Sequence, residues 1–389
     1  MGSNEWNFEA GSYWILGAGV FCKRIIKDLL LVGQVQGIVD NCSEKWGEVI
    51  EGIEVLPFSK MLDSITFMDT VICCCNKPNY KVAKDQLESF KITRHKWFME
   101  YSTRELVFGD FMETGYDDRL VSRCCTYRDF LSDKYKKIGN EIFDGELKRY
   151  RKLIHRKPWE WVYITMCLEH AGMLQEGKRG IGFAVGKEPL PCYFASKGVE
   201  ILATDLSVEN EKSKAWISGD MNAAGDISQL YFKHMCTIEQ FRNKVSYIDL
   251  DMNHMPGELG GYDFCWSSCA IEHVGNLELS KTFLKNMLNV LKPGGIAIHT
   301  TEFNLSSNES TIEHGDSVIY RKVDIEEYVT WCRKQGHDIE VSFVRGCEED
   351  DMYVDIKPPF QLNPQVHLCL EIGGYVSTSF AIIVKKAMN

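Results

Sequence analysis

The sequence predicts an α/β protein with two doubly wound sheets joined by a helical linker. Three observations support this prediction: a length of 389 residues, two separate glycine-bearing turns, and apolar runs of strand length that alternate with helix-length segments. A chain of this length exceeds what a single core usually holds, so two domains are expected. Strands that alternate with helices are typical of parallel sheets covered on both faces.

The first domain is predicted over residues 1–125 and starts as a Rossmann-like βαβ unit. Its predicted elements are a strand (Tyr13–Leu16), a helix (Val20–Leu31), a second strand (Val35–Val39) and a third strand (Thr70–Cys75). Apolar residues recur every three or four positions in the helix, and the strands are short apolar runs. The chain therefore predicts a small parallel sheet in this region.

A candidate nucleotide site lies in the first domain, at Gly17, Gly19 and Asp40. The segment "GAGVFC" follows the Gly-x-Gly-x-x-Gly plan, except that Cys22 stands in place of the third glycine. Such glycines let the backbone approach a phosphate, and an acid about 20 residues further on can accept hydrogen bonds from ribose. The pattern leaves two alternatives open: binding of a nucleotide or nucleotide-sugar, and a purely structural or oligomer-forming role.

Residues 126–157 are predicted to form the helical linker, because apolar residues recur at helical spacing in "KYKKIGNEIFDGELKRYRKLI". The densest basic stretch, Leu147–Trp161, overlaps this segment. A solvated helix face explains it better than a nucleic-acid patch, since the chain has a net charge of −11.

The second domain is predicted over residues 158–389 and repeats the strand–turn–helix plan. Its predicted strands are Gly180–Ala184, Glu200–Ala203, Val245–Asp249, Tyr262–Ser267, Gly295–Thr300 and Gly374–Lys386. Gly182, Ala184 and Gly186 occupy the turn after the first strand, and Asp205 ends the second, 23 positions beyond Gly182. This spacing suits an acid that accepts hydrogen bonds from two ribose hydroxyls, and it is compatible with a dinucleotide as well.

Later segments point to one family. Asp251 in "YIDLDMNHMP", the segment "IEHVGN" after the fourth strand, and "LKPGG" before the fifth follow one another in the order found in class I S-adenosylmethionine-dependent methyltransferases. Residues 158–389 resemble that family. The resemblance implies S-adenosylmethionine as cofactor, with Gly182 and Gly186 behind its methionine and ribose, and Asp205 on the ribose diol. It also implies Asp251 and Met252 near the adenine, and it places Ala184 and Ser267 in the same cofactor site.

The turn departs from the family pattern at two positions. Gly180 stands where the family has an acid, and Ala184 stands where it has the middle glycine. An alanine is compatible with the turn if its φ is negative. Glu188, just beyond the turn, is our hypothesis for the acid that holds the cofactor's amino group.

Four segments, "HRKPWEWVYI", "GFAVGKEPLPCYFASKG", "FCWSSCAIEHVGN" and "HTTEFNLSSN", resemble a bacterial subgroup of methyltransferases, many of which are associated with surface-glycan and sugar biosynthesis. This resemblance implies a sugar, nucleotide-sugar or glycan acceptor. The predicted acceptor-lining residues are Glu302, Asn304, Tyr320 and Arg321. The first domain in turn resembles small Rossmann-like domains found on some sugar-modifying acyltransferases.

His273 is the predicted general base, because it follows the fourth strand at the edge where ligands bind in such sheets. Glu272 beside it is predicted to orient the imidazole or to accept a hydrogen bond from the acceptor. The alternative is that His273 only caps or packs the next helix. His299 and Glu302 lie three apart and form no closed ligand set, so no metal is expected.

Composition sets limits on location and partners. The net charge of −11 and a pI near 5.5 argue against a nucleic-acid partner. An odd number of cysteines, 15, with no secretory leader favours reduced thiols in the cytoplasm, and no apolar run reaches membrane-spanning length. We expect a small-molecule substrate and no membrane insertion, and a homo-oligomer is compatible with the structural alternative for the first domain.

Two other function classes stay open at this point. One is an NAD-dependent oxidoreductase that acts through the first domain, although no nicotinamide-pocket motif follows Gly19. The other is a non-catalytic nucleotide-binding module, which the imperfect glycine turns allow.

Overall fold

The computed structural model describes residues 10–74, 77–93, 95–97, 108–210, 227–355 and 366–388. Its contacts divide the chain into two units: Met1–Leu106 with Val354–Pro364, and Val107–Tyr353 with Gln365–Asn389. Parallel strands flanked by helices occur in both units, so the predicted α/β fold class is confirmed.

The first unit contains a six-stranded sheet in the order β3-β4-β2-β1-β5-β6. Its elements are β1 (Ser12–Leu16), α1 (Val20–Val32), β2 (Gln34–Asp40), β3 (Val49–Ile50), β4 (Ile53–Pro57), α2 (Phe58–Leu62), β5 (Asp69–Cys73), α3 (Lys77–Ser89) and β6 (His95–Trp97). The pairs are parallel except β3 with β4. Because β2 and β5 flank β1, the strand order reverses at β1, the kind of position where open α/β sheets bind ligands.

Strand β1 is buried on both faces. Tyr13 and Ile15 belong to the hydrophobic cluster that includes α1, whereas Trp14 and Leu16 belong to the cluster on the other face. This division follows from the two-residue period of a strand. Both faces are covered, so the strand reads as a continuous apolar run in the sequence.

The second unit is built on a larger sheet in the order β12-β11-β10-β13-β14-β19-β18, with β8 beside β19. Its first elements are β7 (Glu113–Thr114), β8 (Arg123–Cys124), α4 (Asp133–Ile142), β9 (Ile154–His155), α5 (Arg156–His170), β10 (Arg179–Gly182), α6 (Leu190–Ser196), β11 (Glu200–Asp205), α7 (Ile238–Lys244) and β12 (Val245–Asp249). They are followed by β13 (Tyr262–Ser268), α8 (Leu277–Asn286), β14 (Leu291–Asn304), α9 (Lys322–Lys334) and β15 (Val344–Arg345). Strand β16 (Val354–Asp355) lies in the stretch grouped with the first unit, and β17 (Val366–His367), β18 (Cys369–Ile372) and β19 (Tyr375–Lys385) complete the second.

Strand direction in the second sheet changes at β14. Strands β12, β11, β10, β13 and β14 are parallel neighbours, whereas β14 pairs with β19, and β19 with β18, in antiparallel orientation. The order reverses between β10 and β13. The residues that follow these two strands therefore meet at the edge where ligands bind in such sheets.

The predicted helical linker lies within the second unit. Tyr135, Ile138 and Ile142 on α4 and Trp159 on α5 are buried in the same hydrophobic cluster as strands β10 and β13. The apolar spacing that predicted a linker over 126–157 thus reflects packing against this sheet. The division of the structure falls at 106/107, which differs from the predicted boundaries at 125/126 and 157/158.

Within the described residues, none of the helices combines the length and the apolar character needed to cross a lipid bilayer.

Candidate active site

The turn after β10 is packed against the neighbouring strand β13. A Cβ at Gly182 would overlap with the indole of Trp266, so only glycine fits there. The Phe183 amide donates to the Trp266 carbonyl at 2.9 Å, and the Thr204 hydroxyl donates to the Gly182 carbonyl at 2.8 Å. Gly182 therefore lets two strands approach closely at the start of the turn.

Two residues of this turn have left-handed backbone conformations. Ala184 has φ +49°, and Gly186 has φ +54°. The condition under which alanine suits this turn, a negative φ, is therefore not met at Ala184. The cause is the bonding of its neighbours, because the amides of Phe183 and Val185 donate to carbonyls of two different strands, at 2.9 and 3.0 Å. A left-handed alanine costs about 1–2 kcal/mol.

Asp205 lies across the turn at the end of β11. Its Oδ2 accepts from the Gly186 amide at 2.9 Å, and its Oδ1 accepts from the Leu206 amide at 2.8 Å. The carboxylate is 7% exposed. The structure therefore brings the predicted ribose acid and the glycine turn together, with the carboxylate held in one orientation.

Asp251 and Met252 follow β12 and are tied to the same edge. The amide of Leu250 donates to the carbonyl of Asp205 at 2.8 Å. Asp251 accepts from the Asn253 amide and pairs with the His254 imidazole, each at 2.9 Å, while Met252 is buried. The predicted adenine-side residues therefore lie next to the predicted ribose acid.

Glu188 is buried where the turn leads into α6. Its Oε1 accepts from the Trp266 indole nitrogen at 2.6 Å. Burial raises the pKa of Glu188 to about 8, although the Trp266 hydrogen bond and the charge of Lys157 oppose this rise. At neutral pH the carboxyl group is therefore largely protonated, and a bound ammonium group would favour its ionised form.

Ser267 lies inside the sheet. It is fully buried on β13, and its hydroxyl is 2.7 Å from Nδ1 of His299. Its predicted contact with the cofactor stays a prediction.

Glu272 and His273 lie in a short 3₁₀ turn, Ile271–His273, beyond β13. Glu272 is 0% exposed. Nδ1 of His273 is 2.5 Å from the carbonyl of Asp316, and its Nε2 is 3.8 Å from Glu272 Oε1. A ring whose Nδ1 donates to a carbonyl carries its acceptor at Nε2 when neutral.

Of the four predicted acceptor residues, Glu302 lies near Glu272. It is buried near the end of β14, accepts from the Ser377 hydroxyl at 2.7 Å, and forms an ion pair with Arg156. Because β14 is the parallel neighbour of β13, Glu302 lies at the same edge as the turn that carries Glu272.

The other three predicted acceptor residues have structural partners. Asn304 is fully buried and binds the backbone of the following loop, and the Tyr320 hydroxyl is 2.5 Å from that of Ser280. Arg321 precedes α9 and binds Asp324 through Nε at 2.8 Å. These contacts are those of loop and core residues, so an acceptor role for the three stays a prediction.

Sequence reasoning missed a charged group on α5. Glu160 is fully buried and accepts from Ser379 at 2.6 Å, Cys269 Sγ at 2.9 Å, Ser268 at 3.0 Å and Lys157 at 3.2 Å. Burial alone would raise its pKa, but the charges of Lys157 and Arg156 lower it to about 2. Glu160 is therefore ionised at every physiological pH.

Arg156 connects this group to the neighbouring strand. Its guanidinium contacts Glu302, Cys269 Sγ at 3.3 Å and the Ser379 hydroxyl at 3.1 Å. The sequence does contain a signal for this charged group. Arg156 and Lys157 lie four and three residues before Glu160, and residues at these spacings share one helix face. The signal was overlooked because the surrounding segment is rich in basic residues.

The first unit repeats the acid-across-turn arrangement. Gly17 has φ +106°, and a Cβ there would overlap with the carbonyl oxygen of Cys74, whereas a Cβ at Gly19 would meet open space. Asp40 is buried, and its Oδ2 accepts from the Ala18 amide at 2.6 Å and from Lys45 at 3.1 Å. The structure thus brings Gly17, Gly19 and Asp40 together.

His299 is part of the core. It is fully buried, and burial lowers its pKa to about 3. Residues three apart on a strand point to opposite faces, so His299 and Glu302 on β14 do not form a pair of ligands.

A family model described as a methyltransferase domain matches residues 182–299. No curated protein matches the chain. The matched span includes Gly182, Asp205, Asp251, Glu272 and His273. It therefore covers the glycine turn, the predicted ribose acid and the predicted catalytic pair.

Several solved structures are similar to parts of this chain at low identity. A TehB-like SAM-dependent methyltransferase from Corynebacterium glutamicum ATCC 13032 Kitasato is 12% identical over 55% of this chain and 83% of its own, with a TM-score of 0.30. Magnesium protoporphyrin IX methyltransferase (ChlM) from Synechocystis PCC 6803, with bound SAH, is 12% identical over 67% and 98%, with a TM-score of 0.37. The Rex-family repressor RSP is 24% identical over 23% of this chain and 46% of its own, so this chain spans less than half of its length, and the TM-score is 0.21. TM-scores this low establish no functional relationship.

The match to the methyltransferase family model falls on the part of the chain where a left-handed glycine turn and the predicted ribose acid share one sheet edge. The prediction made from the sequence is confirmed at this level: the second unit carries an S-adenosylmethionine-dependent methyltransferase domain.

Proposed function

We propose that this methyltransferase O-methylates a sugar, a nucleotide-sugar or a glycan. The observation that supports this most directly is the set of buried carboxylates at the acceptor side of the sheet edge. Glu272 and Glu302 are 0% and 3% exposed there. Carboxylates accept hydrogen bonds and donate none when ionised, so they favour an acceptor rich in hydroxyl groups.

The residues present fit S-adenosylmethionine. Asp205 is oriented by two amides and suits a ribose diol, and Asp251 and Met252 lie beside it. Glu188, buried at the turn, supplies a carboxyl group for an ammonium group. When bound, the cofactor supplies an electrophilic methyl group.

His273 is the proposed proton acceptor. The acceptor oxygen must lose its proton as the new carbon–oxygen bond forms, and a positioned imidazole is the side chain that most often takes such a proton. The contact of Nδ1 with the Asp316 carbonyl directs Nε2 to this role, with Glu272 3.8 Å away.

A panel of acceptors tests the substrate class. The full chain is incubated with methyl-labelled S-adenosylmethionine and with nucleotide sugars, free monosaccharides, small phenols and primary amines. We expect label on a sugar hydroxyl, detected by mass spectrometry. Label found only on phenols or amines, or no label although the cofactor binds, would reject the proposal.

For the first unit we propose nucleotide binding, supported by the assembly of Gly17, Gly19 and Asp40 around one turn. The described cysteines are free thiols, which suits a reducing compartment, so we also propose that the protein acts in the cytoplasm.

A further inference from the structure

Three side chains with metal-binding atoms converge beyond β13 and β14. One ligand atom from each of Cys269, Glu272 and Glu302 lies within 4.8 Å of those of the other two. Cys269 directly follows β13, Glu272 lies three residues further on, and Glu302 is near the end of the adjacent β14. We call these three residues the Cys-Glu-Glu cluster.

Glu272 is the member of the cluster whose carboxylate has no hydrogen-bond partner on another described residue, although His273 Nε2 lies 3.8 Å away. Its side chain is fully buried. Glu302, in contrast, is bound by Ser377 and Arg156. An ionised carboxylate is costly to bury without compensation, so the position of Glu272 suits a bound cation.

We propose that the Cys-Glu-Glu cluster binds a divalent metal ion such as Zn²⁺ or a similar transition-metal ion. The donor set decides the class of metal. A thiolate favours softer ions than Mg²⁺ or Ca²⁺, and carboxylates also bind these softer ions. The thiol of Cys269 loses its proton to solvent on binding, because the thiolate is the ligand form.

The charges of the buried group support a divalent ion. Glu160 and Glu302 form ion pairs with Arg156 and Lys157, so two acids are matched by two bases, and neither base pairs with Glu272. A divalent ion adds two positive charges, which the ionised ligand forms of Glu272 and Cys269 balance with two negative ones. The occupied site is then neutral, as a buried group of charges requires.

Arg156 provides the supporting contacts that metal ligands need. Its guanidinium is 3.3 Å from Cys269 Sγ and is paired with Glu302, so it orients two of the three ligands. Three protein ligands leave a coordination position open. An acceptor hydroxyl bound there would lose its proton more readily, and only this last point rests on the proposed function.

Cobalt titration of the full chain tests the site. The chain is stripped with a chelator and titrated with Co²⁺, because a cobalt–thiolate bond gives a charge-transfer absorption in the near ultraviolet, and Zn²⁺ binding is measured by calorimetry. We expect one equivalent to bind with this absorption. Cys269→Ser should abolish the absorption, and Glu272→Gln should weaken binding at least tenfold, about 1.4 kcal/mol.

Cys347→Ser is the matched control. Cys347 is exposed, so a surface thiol that binds cobalt non-specifically would be removed by this change, while the proposed site would be unaffected. Glu272→Gln keeps the shape of the side chain and removes its charge, so it gives an answer even if Cys269→Ser fails to fold. Absence of saturable binding, or binding that is unchanged in Glu272→Gln, would overturn the proposal. Because metal binding needs no acceptor, a failed acceptor panel leaves this result intact.

Discussion

The two glycine turns of this chain share one plan. In each unit an acid at the end of the second strand accepts a hydrogen bond from an amide of the turn that follows the first strand. Asp40 accepts from Ala18 at 2.6 Å, and Asp205 accepts from Gly186 at 2.9 Å. Each turn also contains a left-handed residue, Gly17 or Ala184.

The two turns differ in what surrounds the acid. Asp40 is paired with Lys45 at 3.1 Å, and Gly19 precedes α1 as its N-cap, without a capping side chain. The sheet edge on which Asp205 lies instead also carries the buried carboxylates of Glu272 and Glu302. The difference supports our proposals that the turns bind nucleotide-type ligands and that the chemistry depends on residues near the ends of β13 and β14.

Replacing His273 tests whether methyl transfer depends on the residues that follow β13. We expect His273→Ala to lower turnover by about a hundred- to ten-thousandfold, the range of general-base catalysis, while S-adenosylmethionine binding is kept. Turnover is measured with the acceptor found in the panel, and binding by calorimetry. His170→Ala, at an exposed position of α5, is the control and should match the parent. A loss of less than about tenfold would mean that positioning carries the catalysis.

The acids of the two turns should have different ligands. Asp205→Ala removes a charged hydrogen-bond acceptor, which costs about 1.5–3 kcal/mol, so the affinity for S-adenosylmethionine should fall about ten- to a hundredfold. Asp40→Ala is the matched change in the first unit and should leave this affinity unchanged. Calorimetry on both variants gives the comparison. Equal dissociation constants for Asp205→Ala and the parent would refute the ribose assignment.

The left-handed residues Gly17 and Ala184 can be tested by opposite substitutions, glycine to alanine at one and alanine to glycine at the other. Gly17→Ala should lower the thermal midpoint, because a methyl group there overlaps with a carbonyl oxygen, with an expected cost of about 1–3 kcal/mol. Ala184→Gly relieves about 1–2 kcal/mol of strain but adds flexibility to the unfolded chain, worth about 0.5–1 kcal/mol. A small gain in stability is therefore expected. Calorimetric melting curves measure both, and a stability loss in Ala184→Gly would show that its methyl group packs favourably.

Nucleotide titration examines the first turn directly. UDP and ADP are titrated into the full Asp205→Ala chain, so that the second turn contributes little. We expect saturable binding at millimolar concentrations or below, weakened about tenfold when Asp40→Ala is added, which corresponds to about 1.4 kcal/mol. If no nucleotide saturates, the first unit has a structural role.

The last prediction concerns Glu188, which has no counterpart in the first turn, because "GAGVFC" contains no acid. The folded-state pKa of Glu188, about 8, lies above the ordinary value of 4.5, so its contribution to stability is complete below pH 4.5 and is lost as the pH rises through 8. Glu188→Gln removes this dependence. Urea unfolding at pH 6 and pH 8.5 should show that the variant gains stability relative to the parent at the higher pH. Glu169→Gln, at an exposed position, should show no such gain.

The positions of the strands were predictable because strands covered on both faces are apolar throughout. Runs such as Tyr13–Leu16 are therefore visible in the sequence. The conformation of Ala184 was not predictable, because it depends on amide bonds from its neighbours to two other strands. The role of Glu160 was hidden for a similar reason, since Ser379, one of its partners, lies 219 positions away.

The predicted acceptor residues show why polar side chains in a loop do not by themselves predict a binding pocket. Asn304 and Arg321 have the polar groups of a binding pocket, but the same groups bond to nearby loop atoms. A sequence does not distinguish these uses, because both require polar side chains after a strand. The carboxylate of Glu302 differs, since its partners come from α5 and β19.

Strand β19 has a consequence for the time at which the site forms. Its Ser379 and Ser377 donate hydrogen bonds to Glu160 at 2.6 Å and to Glu302 at 2.7 Å. This strand is translated after the other strands of the sheet, yet it lies between β14 and β18 inside the sheet. A nascent chain that ends before Tyr375 would hold both carboxylates without these donors. Methyl transfer by this protein should therefore follow synthesis of the chain through β19 rather than accompany it.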